Sequence, residues 1–236
     1  VPGLSISYVK DSAQAVEASF AAFADNYTVY LFDVREEVPE GYTIEAMGED
    51  LASVIKKLGL EKVHLYGCSM GGMESIYIAG TYPELVEKVT VVSSACEKNA
   101  MLEEVLGNWI SCAEEGKLTE LTTDMGQKIY SEAVYEANKE VFAGMADGLD
   151  EVALTRFIRS AKAIVDLDLT KQAAKITCSV LVVGAEGDHV LSAEASRKIA
   201  EITGGELVMY PEEYPHAVYD EAPEVKEKAR AFFDAE

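Results

Sequence analysis

Ser69 lies in the stretch GCSMGG, residues 67–72, where glycines stand on both sides of a serine. Glycine tolerates the backbone of a sharp turn, so this spacing can expose the serine hydroxyl between a strand and a helix. A serine hydroxyl is a poor nucleophile at neutral pH and needs a neighbouring base, together with an acid that orients the base. The pattern therefore predicts attack by Ser69 on an acyl carbon if the chain supplies both partners.

The chain contains three histidines, and one of them is well placed to be the base. His216 lies in a loop after the last predicted strand, from where its side chain can reach back over the sheet. His64 lies inside the strand before Ser69, which favours a buried structural role. His189 directly follows Asp188 and is expected in a loop at the rim of the site. We therefore predict that His216 accepts the proton of Ser69.

Asp188 is the predicted acid. It lies in the segment LVVGAEGDHV, just beyond the carboxyl end of a predicted buried strand. Open α/β sheets gather their ligand-binding groups at that edge. Glu186, two residues earlier, is the alternative acid.

The negative oxygen of a tetrahedral intermediate needs two N–H donors. Met70, directly after Ser69, is predicted to supply one. Leu4, in the segment VPGLS at residues 1–5, is predicted to supply the other. The alternative is that residues 1–5 form a disordered N-terminal tail.

The elements that must position these residues alternate between strands and helices, which predicts an α/β fold with a mostly parallel sheet and helices on both faces. The strand candidates are nearly continuous apolar runs, as buried parallel strands are. They are Thr28–Phe32, Lys62–Tyr66, Lys88–Val92, Ser179–Val183 and Glu206–Tyr210.

Between two of these strands the alternation stops, and residues 97–175 have helical periodicity only. We interpret them as a helical cap inserted into a core formed by residues 1–96 and 176–236, because a single crossover normally needs one helix. The alternative is that these helices belong to the main body. Four apolar side chains of the insertion are predicted to line a pocket over the serine, or else to pack the cap helices together: Met101, Trp109, Phe157 and Ile158.

Composition excludes several classes of function. Asp and Glu number 42 against 20 Lys and Arg, giving a formal charge of −22, which would repel nucleic acids and anionic membranes. Four scattered cysteines without paired spacing favour a reducing compartment, so we expect a cytoplasmic protein. No run is apolar enough for a membrane span, no cluster has the spacing of a metal site, and no nucleotide-binding glycine motif occurs, so no cofactor is expected.

Taken together, these residues resemble the α/β-hydrolase superfamily, in particular its capped, single-domain esterases and carbon–carbon bond hydrolases. The resemblance rests on DVR at 33–35, YTIEAMGEDLASVIKKLGLEKVHLYGCSMGG at 42–72, GAEGDHV at 184–190, and the loop around His216. It implies the chain order of nucleophile, acid and base that Ser69, Asp188 and His216 follow.

The chain departs from this family at three places. Pro2-Gly3 stands where relatives usually have a His-Gly loop preceded by several strands, so the early strands are expected to be missing from residues 1–236 rather than deleted from the sheet. An acidic segment, EEVPEGYT, replaces the usual glycine-rich loop after Arg35. Cys68 stands before the serine, where relatives often have His or Gln.

The expected function is hydrolysis of a small-molecule ester, thioester or related acyl compound through an acyl-enzyme, as in carboxylesterases. Acyl transfer, perhydrolysis and carbon–carbon bond cleavage use the same three residues and remain alternatives. A non-catalytic ligand-binding protein on the same fold is the alternative of another class.

Overall fold

The computed structural model describes residues 1–235 and is built on a sheet of four parallel strands. They are β1 (Val63–Cys68), β2 (Val86–Val92), β3 (Ser179–Gly187) and β4 (Glu206–Pro215), adjacent in that order. Four of the five predicted strands are therefore confirmed, as is their parallel pairing. Because all four run the same way, their carboxyl ends meet at one edge of the sheet.

Helices cover both faces of this sheet. They are α1 (Ala13–Ser19), α2 (Ile44–Lys57), α3 (Met70–Thr81), α4 (Ala100–Glu114), α5 (Leu118–Ile129), α6 (Glu132–Gly144), α7 (Glu151–Val165), α8 (Thr170–Ala173), α9 (Ala193–Thr203), α10 (Val218–Glu221) and α11 (Glu224–Asp234). Within residues 1–235, none of them is long and apolar enough to cross a lipid bilayer.

The strand β3 illustrates why the sheet strands are continuously apolar. Val180 and Val182 belong to the larger hydrophobic cluster, which includes residues of α3 and α9. Leu181 and Val183 point the other way, into a second cluster with residues of α10 and α11. Successive side chains of a strand alternate between faces, and both faces are covered here, so all six residues 180–185 are buried.

The predicted strand Thr28–Phe32 is wrong. The segment is not hydrogen-bonded into the sheet, and Val29 and Tyr30 are nearly half exposed. An apolar groove of about 640 Å³ separates it from β1, whose outer edge has no strand partner among residues 1–235. A strand needs a neighbour to accept its backbone hydrogen bonds, and β-rich composition cannot supply one.

The helices α4 to α8 lie between β2 and β3, in the segment predicted to be the cap. The chain enters and leaves this region at one place, where Glu97 and Asp168 form an antiparallel bridge. The amide of Leu169 donates to the carbonyl of Cys96 at 2.7 Å beside that bridge. The short helix α8 packs against α3 and α9.

Candidate active site

Ser69 occupies a sharp turn between β1 and α3. Its backbone has φ 51° and ψ −120°, a conformation that costs a non-glycine residue about 1–3 kcal/mol. The flanking glycines make the turn possible, since a Cβ on Gly67 would overlap the carbonyl of Gly71, and one on Gly71 would overlap the carbonyl of Val1. The glycine spacing that predicted an exposed serine therefore has a steric cause.

Two hydrogen bonds hold this turn from the neighbouring strand. The amide of Ser69 donates to the carbonyl of Val92 at 2.9 Å, and the hydroxyl of Ser94 donates to the carbonyl of Ser69 at 2.7 Å. Ser94 is buried and follows β2. No sequence pattern indicated Ser94, because its role depends on the alignment of two strands that brings it beside Ser69, 25 residues away along the chain.

His216 and Asp188 form a buried pair. Nδ1 of His216 lies 2.9 Å from Oδ2 of Asp188, and the other carboxylate oxygen accepts the amides of Val190 and Leu191, both at 2.9 Å. Burial alone would raise the pKa of Asp188, but the charge and hydrogen bond of His216 and the two amides outweigh it and hold that pKa below its usual range.

An ionised carboxylate only accepts hydrogen bonds, so Nδ1 of His216 must carry the proton that faces Asp188. In a neutral imidazole this leaves Nε2 with a free lone pair. The pair therefore presents a base on the side of the ring that faces away from the carboxylate.

The alternatives to these two residues lie elsewhere. Glu186 points outward and pairs with Arg197 on α9. His189 is exposed in the turn that follows β3 and does not line the cavity at Ser69. His64 stacks on Phe233, with ring centroids 4.6 Å apart, and burial lowers its pKa.

Ser69 and His216 open on one narrow cavity of about 30 Å³. Within residues 1–235 no hydrogen bond joins the serine hydroxyl to the imidazole, and such catalytic bonds are often formed only when substrate is bound. Tyr219, which the sequence analysis did not single out, also lines the cavity and stands edge-on to His216, with ring centroids 6.2 Å apart.

Of the two predicted oxyanion donors, Leu4 borders the same cavity, and Met70 directly follows Ser69. Met70 is the first residue of α3, where the backbone N–H has no acceptor within the helix. Gly3 and Leu4 line the cavity, and a Cβ on Gly3 would lie 3.1 Å from Cβ of Ser69. The N-terminal segment is thus ordered beside Ser69 rather than forming a detached tail.

Of the four predicted pocket residues, Trp109 lines the cavity. Phe157 is fully buried in the main hydrophobic cluster, and Met101 and Ile158 pack against that cluster instead. The other insertion residues in the cavity wall are Leu106, Ile129 and Ile164. Helical periodicity marked such side chains as buried, but it does not say which of them face the serine.

Over residues 1–235, no three His, Cys, Asp or Glu side chains come close enough together to hold a metal ion.

Comparison with known proteins finds similarity to hydrolases. A family model described as alpha/beta hydrolase fold matches residues 12–111. The 3-oxoadipate enol-lactonase 1 of Acinetobacter baylyi is 22% identical over 174 residues, which cover 72% of this chain and 65% of that protein.

Solved structures resemble the whole chain. An alpha/beta hydrolase enzyme from a Medee basin deep-sea metagenome library superimposes with a TM-score of 0.86 at 21% identity, covering 100% of this chain and 88% of that one. The enol-lactonase from Burkholderia xenovorans LB400 gives a TM-score of 0.81 at 20% identity, covering 94% and 86%. At these identities the likeness concerns the fold.

Proposed function

We propose that this chain, which has the α/β-hydrolase fold, is a serine hydrolase that cleaves an ester, thioester or related acyl compound through an acyl-enzyme. The observation that carries the proposal is that a buried His216–Asp188 pair opens on the same cavity as Ser69, which is held in a strained turn. Strain of this kind persists where the surrounding structure imposes it, and it exposes the serine hydroxyl.

In the proposed mechanism, Oγ of Ser69 attacks the acyl carbon while Nε2 of His216 takes its proton. Asp188 keeps the imidazole in the required tautomer and stabilises the positive charge that forms on it. The amides of Met70 and Leu4 bind the negative oxygen of the tetrahedral intermediate, each contributing about 3 kcal/mol to the barrier reduction.

The proton on His216 then passes to the leaving alcohol or thiol, which departs and leaves Ser69 acylated. A water molecule repeats the attack with His216 as base, and the acid is released. Lactones are internal esters and fall within this substrate class, in keeping with the names of the two enol-lactonases that this chain resembles.

Labelling with a fluorophosphonate probe tests the proposal. The wild-type chain should be labelled at one serine, and Ser69→Ala should abolish the labelling. Ser111→Ala, which removes an exposed serine on α4, is the matched control and should label normally. A wild-type protein that hydrolyses no ester and never labels, or a Ser69→Ala variant that labels as before, would refute the proposal.

A further inference from the structure

The cavity at Ser69 has largely apolar walls and little space. Its walls away from the serine and His216 are formed largely by Leu106, Trp109, Ile129, Ile164, Val190 and Leu191. Its volume of about 30 Å³ accommodates about two groups of the size of a water molecule, since one such group needs about 10–15 Å³. An acyl chain of two or three carbons fills this space.

The charge of the cavity walls also restricts which acyl groups can bind. Neither lysine nor arginine is among the residues that line the cavity. A carboxylate on the acyl chain would lose its hydration on entering the cavity and would find no cation there to pair with. Burying an unpaired charge in an apolar environment costs free energy. The formal charge of −22 on the chain adds a repulsive field for anionic substrates.

Trp109 is the largest side chain in this wall, and it is fixed in place. Its indole N–H donates to Oδ2 of Asp124 on α5 at 2.7 Å, and Nζ of Lys128 binds the other oxygen of that carboxylate at 2.6 Å. Trp109 is 2% exposed, so its ring is packed against protein except where it faces the cavity. A longer acyl chain must displace a ring that is both packed and hydrogen-bonded.

From these observations we infer that the Ser69 site takes short, uncharged acyl groups of two to three carbons, and that Trp109, held by Asp124, sets this limit. The inference rests on the proposed function, because it concerns the acyl group that would be attached to Ser69. Trp109 acts as a specificity-determining residue, and Asp124 as a positioning residue behind it.

The test is a series of p-nitrophenyl esters from acetate to octanoate, together with p-nitrophenyl hemisuccinate, a charged ester of the same chain length as butyrate. For the wild-type chain, kcat/KM should fall at least 100-fold from acetate to octanoate and at least 10-fold from butyrate to hemisuccinate. In Trp109→Leu the preference should move to hexanoate or longer, and in Asp124→Ala the acetate-to-octanoate ratio should shrink about 10-fold. Met101→Ala, on the same helix but away from the cavity, is the matched control and should keep the wild-type profile.

Fluorophosphonate labelling of each variant separates the possible failures. A fully labelled wild-type enzyme that hydrolyses octanoate as fast as acetate would overturn the inference and leave the proposed function intact. If Trp109→Leu and Asp124→Ala both keep the wild-type chain-length profile, these residues do not set the length of the acyl group, and the inference is overturned as well. Absence of both labelling and hydrolysis would refute the proposed function itself. If Trp109→Leu does not fold, the chain-length profile of Asp124→Ala tests the inference, since that variant keeps the indole ring and removes only its hydrogen-bond partner.

Discussion

Replacing Asp188 by Asn provides a sharp test of how the site works. Asn has nearly the same shape as Asp, but it presents one acceptor and one donor in place of two acceptors. Its oxygen will stay with the amides of Val190 and Leu191, which are donors 2.9 Å away. Its NH₂ group must then face Nδ1 of His216, where Oδ2 accepted a hydrogen bond before.

This arrangement forces the wrong tautomer on His216. Nδ1 has to accept the new N–H, so the ring proton moves to Nε2, which can no longer take the proton of Ser69. Loss of the correct tautomer in such a triad lowers kcat by about 10⁴-fold, or about 5.5 kcal/mol. KM should change by less than about threefold, because Asp188 does not line the cavity that holds the acyl group.

The assay is steady-state hydrolysis of p-nitrophenyl acetate by Asp188→Asn, with thermal unfolding to confirm that the protein remains folded. Glu186→Gln is the matched control, since Glu186 lies two residues away and pairs with Arg197 instead. It should retain kcat within twofold. A loss below 10-fold in Asp188→Asn, or an equal loss in both variants, would show that Asp188 does not orient His216.

Three further predictions concern stability and are measured by urea denaturation. Gly71→Ala should destabilise the fold by more than 2 kcal/mol, because the new Cβ overlaps the N-terminal backbone, whereas Gly107→Ala, with free space around it in α4, should add about 1 kcal/mol. Burial raises the pKa of Glu74 from 4.5 to about 7, so the folded state binds a proton that the unfolded state releases, and stability falls as pH rises from about 4.5 to 7. Glu74→Gln should therefore be about 3 kcal/mol more stable than the wild type at pH 8 and no more stable at pH 4, and equal stability at pH 8 would contradict the reasoning. Arg156→Met removes a buried ion pair 3.0 Å long and should cost about 2–4 kcal/mol, while Asp33→Asn in the same background should recover part of the loss.

The four strands of the sheet and the turn at Ser69 were predictable because each depends on local sequence. The short, mostly apolar segment Lys62–Tyr66 directly before GCSMGG favours a buried strand, and the need for glycine at Gly67 follows from its contact with Gly71, four residues away. The α/β-hydrolase fold that these segments predict is confirmed by the family-model match over residues 12–111 and by the solved structures. The roles assigned to Ser69, His216 and Asp188 stay predictions, although the structure brings the three to one edge of the sheet.

What sequence could not predict depends on partners that are distant along the chain. Thr28–Phe32 has the composition of a strand, yet it lies across a groove from β1 and pairs with nothing there. Trp109 and Phe157 are both buried aromatic residues on helices of the insertion, but only the orientation of those helices decides that the first faces Ser69. Ser94 donates a hydrogen bond to the carbonyl of Ser69 only because β1 and β2 are aligned side by side, and no spacing of residues in the sequence predicts that alignment.

The bridge between Glu97 and Asp168 has a consequence for how such a protein can vary. The two ends of the segment that contains α4 to α7 meet at this bridge. The segment therefore connects the rest of the chain between β2 and β3 over a short distance, as a tight hairpin loop would. Because loop-closure entropy changes only slowly with length, helices beyond the bridge can be lengthened or shortened at little cost in chain entropy. The exception is the end of α5, where the carbonyl of Ile129 accepts the amide of Ala217 at 2.8 Å, so a change there would also shift the loop that carries His216.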